Sequence, residues 1–384
     1  MATNRSLVAP STNPLLEQAL REILARRNEA GGSLGELEPL AVRLGLMQNT
    51  LKPRFHSPQL LICAADHGLA VDGMELADSR PTAQSVDLLL RNQLPLTVFA
   101  RTQGMRVQVV DCGIADELPA HERLMVRKIA HGTRNARTTA AMSVVQAHAA
   151  MRAGMEIADQ LEGNVTVLAG VGMGAHESAA LVLSRLTDCP VRDLVMSSTE
   201  MDTDRLAHLL MILQGAQGRH RDVVEPIEVL AAFGGFEVAV MVGVMLMAAS
   251  KRHLLIVDGV PACAALMLAA RIAQPVTDYC VFCRSHTHLG LDQALNLFRA
   301  SALLELGMDS TDGTGATLAW PLVKSAAALL AEVAEPTEAE RPVQARRAAP
   351  PAEQFEKPQA DDEMLTEPAE WPPSAKTTEV NKTT

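Results

Sequence analysis

Four short apolar runs, 60–64, 107–111, 165–169 and 253–258, constrain this chain most. Each is too short for a core helix, and each leads through an aspartate- or glycine-bearing turn toward a segment with helical spacing. Helices are predicted over 82–94, 139–160, 178–186, 204–214 and 235–249. Continuous apolar strands that alternate with helices form a parallel sheet covered on both faces, so the fold class is α/β. A helix at 13–27 precedes every strand and another at 315–334 follows them, and the two are expected to pack together as a small helical subdomain.

In such a sheet, ligands bind beyond the carboxyl ends of the strands. Those ends read Asp66-His67-Gly68, Asp111-Cys112-Gly113, Gly170-Val171-Gly172-Met173-Gly174 and Asp258-Gly259. The glycines at 170, 172 and 174 would let backbone N–H groups approach a phosphate, but the spacing is not that of a dinucleotide fingerprint and no P-loop lysine follows. Asp66 and His67 are either an acid-base pair or a capping, structural pair, because adjacent side chains point apart. A further turn, Thr311-Asp312-Gly313-Thr314-Gly315-Ala316, sets a carboxylate beside the mouth of the last helix. General-base chemistry and anion binding can be combined there.

At 384 residues and 48% hydrophobic content, the chain can bury a large core. Its net charge of −11, with no run of Lys and Arg, argues against a nucleic-acid partner. Cys63, Cys112, Cys189, Cys263, Cys280 and Cys283 mostly lie among apolar neighbours, as reduced thiols do, and a cytoplasmic location is expected. No signal peptide or membrane span is predicted. The stretch from Cys280 to His288 invites a zinc reading, but Cys280, Cys283, His286 and His288 within nine residues converge poorly on one ion. A strand end with buried thiols is the better reading, and neither a metal nor an organic cofactor is expected. The expected organisation is a flexible 1–12, a helical part at 13–55, an α/β core at 56–300, a C-terminal helical part with the acidic turn at 301–335, and a disordered Pro-, Glu- and Thr-rich tail at 336–384 that holds a lone Trp371.

Taken in order, several segments resemble one family, the nicotinate-nucleotide:dimethylbenzimidazole phosphoribosyltransferases of cobalamin lower-ligand biosynthesis. The resemblance runs through Gly32-Ser33-Leu34-Gly35, Asp66-His67-Gly68, Thr82-Ala83-Gln84, Asp111-Cys112-Gly113 and Gly132-Thr133-Arg134-Asn135. It continues through Gly172-Met173-Gly174, Gly234-Gly235-Phe236-Glu237, Asp258-Gly259, Ser285-His286 and Asp312-Gly313-Thr314-Gly315-Ala316. It implies a Rossmann-like sheet, a homodimer, and metal-free transfer of phosphoribose from nicotinate mononucleotide to 5,6-dimethylbenzimidazole. It also implies that Asp312 is the general base, standing where the family has glutamate, and that Gln84, Gly172, Gly174, Asp258, Ser285, Gly313, Thr314 and Gly315 bind substrate.

The chain departs from the family pattern at several positions. Gly170 stands where the family has an acidic residue, Ala175 and His176 replace an Asn-Thr pair, Leu209 and Glu29 stand for lysines, and Glu75 for a serine. His176, Glu177 and Glu75 either rebuild a polar site or are surface residues. The resemblance therefore leaves two readings, an active transferase or a catalytically degenerate relative that binds a nucleotide or benzimidazole.

Overall fold

The computed structural model describes residues 7–74, 80–196, 202–284, 288–308 and 310–334, without the side chains of 29–31. The expected tail, with Trp371, lies outside them, as do Glu75, Ser285 and His286.

Six strands form one parallel sheet: β1 (Gln59–Ala65), β2 (Arg106–Gly113), β3 (Leu124–Val126), β4 (Val165–Val171), β5 (Leu254–Val257) and β6 (Cys280–Phe282). Their order is β3-β2-β1-β4-β5-β6. Every pairing is parallel, with Leu60 opposite both Val107 and Val167. The chain steps outward from β1 to β3 and then returns to the other side of β1. The crevice between the carboxyl ends of β1 and β4 is thus the point where the strand order reverses and where ligands bind in such sheets. All seven residues of β1 are buried, as expected of a strand covered on both faces.

The helices are α1 (Pro14–Gly31), α2 (Leu37–Gln48), α3 (Thr82–Leu90), α4 (Pro95–Thr102), α5 (Val144–Asp159), α6 (Ala175–Thr187), α7 (Val191–Val195), α8 (Thr203–Arg219), α9 (Pro226–Phe233), α10 (Phe236–Ser250), α11 (Val260–Ile272), α12 (Leu289–Leu297) and α13 (Thr314–Ala331). The helix predicted over 82–94 ends earlier, at Leu90, and a separate helix starts at Pro95, which holds Leu94 in extended backbone (φ −116°, ψ 144°). The one predicted from 139 begins at Val144, where Ser143 and Gln146 form a reciprocal capping box. As expected, the terminal helices pack together, α13 against α1 and α2. The Arg27 guanidinium donates to the Leu329 carbonyl across this contact. Within the stretch 1–12, expected to be flexible, Val8 is buried, the Ala9 carbonyl accepts from the Tyr279 hydroxyl at 2.8 Å, and the Ser11 amide donates to Asp278 at 2.9 Å.

Helix α10 lies across β1, β2, β4 and β5 and also touches α5 and α11, so it is apolar on nearly every side. Its crossing with α5 depends on two glycines. A Cβ at Gly154 would lie 2.0 Å from the Val240 carbonyl oxygen, and one at Gly243 would lie 1.9 Å from that of Met151. Gly→Ala in a helix ordinarily gains up to about 1 kcal/mol. Gly243→Ala is expected to lose about 1–3 kcal/mol instead, because the two backbones must part. Gly218→Ala in α8, where a Cβ meets nothing within 4 Å, is the control and should be neutral or stabilising in the same urea unfolding series.

Candidate active site

The strand ends were expected to hold the ligand, and the structure shows which of their side chains are already committed. At the end of β1 the Asp66 carboxylate accepts from the Thr82 hydroxyl and, at 2.8 Å, from the Ala115 amide. The same Thr82 oxygen accepts from the Met173 amide at 3.0 Å. Asp66 is thereby a bracket that ties the ends of β1, β2 and β4 to the start of α3. His67 turns elsewhere, with Nε2 3.1 Å from the fully buried Glu237. Burial alone would lower the imidazole's pKa, but the charge of Glu237, aided by Asp66 and Glu177, raises it. The adjacent pair thus serves two separate structural partners. Asp111, at the end of β2, likewise accepts from the Ile114 amide at 2.9 Å.

At β4, Gly172 lies flat against β1, where a Cβ would come 1.8 Å from the Ala65 carbonyl oxygen. Gly174, at φ +81°, caps α6 beside His67. Of the three predicted phosphate-loop glycines, Gly172 and Gly174 sit at the β1/β4 crevice, at the positive end of a 13-residue helix. Gly170 has a steric reason to be glycine, since a Cβ there would meet the Cβ of Pro261 in α11 at 2.6 Å. Pro261 fills the space that a side chain at position 170 would need.

The acidic turn lies across β4 and β5. Asp258, buried at the end of β5, accepts from the Ala316 amide at 3.2 Å and so holds the first turn of α13. Gly259, at φ +101°, brings its backbone so close beneath Asp312 that a Cβ would meet the carboxyl carbon at 2.3 Å. Gly313, at φ +86°, caps α13, and the buried Thr314 spends its hydroxyl on the Thr311 carbonyl at 2.5 Å. Gly315 is also buried in that first turn. Gln84 is exposed in the first turn of α3, two residues beyond the Thr82 bracket, and Leu209 is buried in α8.

The Asp312 side chain is only 1% exposed, and its Oδ2 lies 2.6 Å from Nε2 of His176, whose side chain is 35% exposed. The His176 ring meets His288 edge to face at 5.2 Å between centroids. His288, at the N-cap of α12, accepts from the Leu291 amide through Nδ1. Burial would depress the His176 pKa, but the Asp312 charge and hydrogen bond, with Glu177 behind them, lift it to about 9. His176 is thus no bare surface residue but the partner of Asp312. The sequence carries no spacing signal for it, since residues 176 and 312 are 136 apart. The only hint is that His176 follows the glycine turn in a chain whose acidic turn carries aspartate. Cys280 and Cys283 lie buried at β6, and burial pushes the Cys280 thiol up to about 12.

A phosphoribosyltransferase family model matches residues 9–340. A nicotinate-nucleotide–dimethylbenzimidazole phosphoribosyltransferase of Cupriavidus taiwanensis is 40% identical over 84% of this chain and 95% of its own length. One from Photobacterium profundum is 32% identical over 86% and 97%. The crystal structure of the Thermus thermophilus enzyme of that name superposes with a TM-score of 0.76 at 29% identity, over 83% of this chain and 96% of that one.

Proposed function

Because the chain belongs to the nicotinate-nucleotide–dimethylbenzimidazole phosphoribosyltransferase family, we infer that it transfers phosphoribose from nicotinate mononucleotide to 5,6-dimethylbenzimidazole. The products are α-ribazole 5'-phosphate and nicotinate, which places the enzyme in assembly of the cobalamin lower ligand. In the reaction an azole nitrogen attacks C1 of the ribose, the bond from C1 to the pyridinium nitrogen breaks, and its electron pair stays on nicotinate. C1 gains oxocarbenium character, and the azole gives up its N–H proton.

The observation that carries this reading is the Asp312–His176 pair, a buried carboxylate and a part-exposed imidazole 2.6 Å apart at the carboxyl end of the sheet. In this reading Asp312 supplies the basicity for the azole proton. Gly172, Gly174 and the start of α6 face the phosphate, where backbone amides and the helix dipole favour a dianion. Gln84 orients the azole from the rim. Asp258, Gly313, Thr314 and Gly315 hold the carboxylate's turn in place. The degenerate-relative alternative is not favoured, because the relatives are enzymes by name and the charged pair is intact and engaged.

Incubation of the purified chain with both substrates should yield α-ribazole 5'-phosphate and nicotinate in equal amounts by mass-detected chromatography. Binding of the azole without either product, at enzyme concentrations comparable to substrate, would overturn the assignment.

A further inference from the structure

We propose that His176 is the group that takes the proton from the incoming azole, and that Asp312 acts through it rather than by direct contact. The proposal rests on the transfer reaction inferred above. Asp312 is packed against the Gly259 backbone, with a side chain 1% exposed, whereas the imidazole beside it is 35% exposed. A ligand in the crevice therefore meets the ring before it meets the carboxylate. The ring is held on two sides, by Asp312 at Nε2 and by His288 edge to face.

With Nε2 turned to the carboxylate, Nε2 carries the hydrogen and Nδ1 is the basic nitrogen. As the azole's other nitrogen bonds to C1, its N–H bond breaks and the proton moves to Nδ1. The resulting imidazolium is stabilised by Asp312, and nicotinate leaves with the electron pair of the broken C1–N bond. Burial works against the protonated ring, and the neighbouring carboxylates outweigh it. Asp312 and Glu177 favour the protonated ring, while His288 brings a second imidazole from the start of α12. Burial, with Asp258 and Asp312 adding to it, raises the Cys263 thiol of α11, so no thiolate competes for the proton.

The test uses the intact chain with nicotinate mononucleotide and dimethylbenzimidazole. Wild-type kcat should climb with pH and level off near 9, where the ring loses its proton. His176→Gln keeps a donor to Asp312 but accepts no proton, and should lower kcat about a hundredfold and flatten that rise, with little change in the nicotinate mononucleotide KM. His176→Ala should fall similarly. Asp312→Glu added to it should recover about tenfold, because the carboxylate then reaches one methylene further into the vacated space. A His176→Gln enzyme that keeps wild-type kcat and pH slope overturns the relay and leaves the reaction standing. A wild type that forms no product overturns the reaction itself, and the relay with it.

Discussion

Asp312→Asn should cut turnover about a thousandfold while leaving the fold intact. The substitution preserves shape in a place where shape is tightly set. The side chain packs between the Gly259 backbone and the His176 ring. What changes is charge. Without the carboxylate, the main offset to the burial of His176 is gone and only Glu177 remains, so its titration should fall well below 9. The rise of kcat toward alkaline pH should then disappear, which separates loss of a base from a general loss of active protein.

Stability changes in a matching way. A histidine whose folded pKa is raised contributes stability that is fully present below its unfolded value, near 6.5, and is lost as pH rises through the folded one, near 9. Wild-type melting temperature should therefore decline between pH 6.5 and 9 more than that of Asp312→Asn. Equal slopes in the two proteins would mean that the pair is not an ion pair in solution.

Much of the fold was legible because its signals are local. β1 and β4 announce themselves as short, mostly apolar runs, and the Ser143 cap and Pro95 mark helix starts by chemistry that a reader of the chain can see. β3 and β6 have three residues each, too few for any periodicity to show. Helix α11 is apolar on most sides because it lies between α6 and α10, so its sequence shows no polar face to mark it as a separate element.

The site divides along the same line. Asp312 and the glycine caps could be placed from the sequence, since positive-φ glycines at helix starts follow from backbone sterics. The His176 contact depends on how the turns after β4 and β5 are stacked, which only the assembled sheet determines. Gly170 illustrates the limit well. From the sequence it is a departure from the family pattern, and in the structure it is the space Pro261 occupies.

The second large effect is expected at Glu237, which touches no proposed substrate contact. It is fully buried, and its one ion-pair partner among the described residues is His67 at 3.1 Å. Neither carboxylate oxygen has an aligned hydrogen bond there, so the pair's value is chiefly Coulombic. Removing one member of such a pair costs about 3–5 kcal/mol, whereas replacing both with apolar groups of similar size costs far less. Glu237→Ala should therefore unfold at markedly lower urea, and His67→Phe combined with Glu237→Leu should regain most of the loss.

The pH response should reverse as well. In the wild type His67 has a raised pKa, so the pair helps most below pH 6.5 and less as pH climbs past the folded value. Without Glu237, burial dominates and the ring prefers to be neutral. Glu237→Ala should then lose stability on acidification, and urea midpoints at pH 6 and pH 8 read that sign directly. The effect reaches the active site because a Cβ at Gly174 would lie 3.1 Å from the His67 Cβ, and Gly174 caps the helix that carries His176 two residues later. Loss of turnover in Glu237→Ala should therefore track the fraction of α6 correctly docked and recover in the double variant, although neither residue meets the substrate.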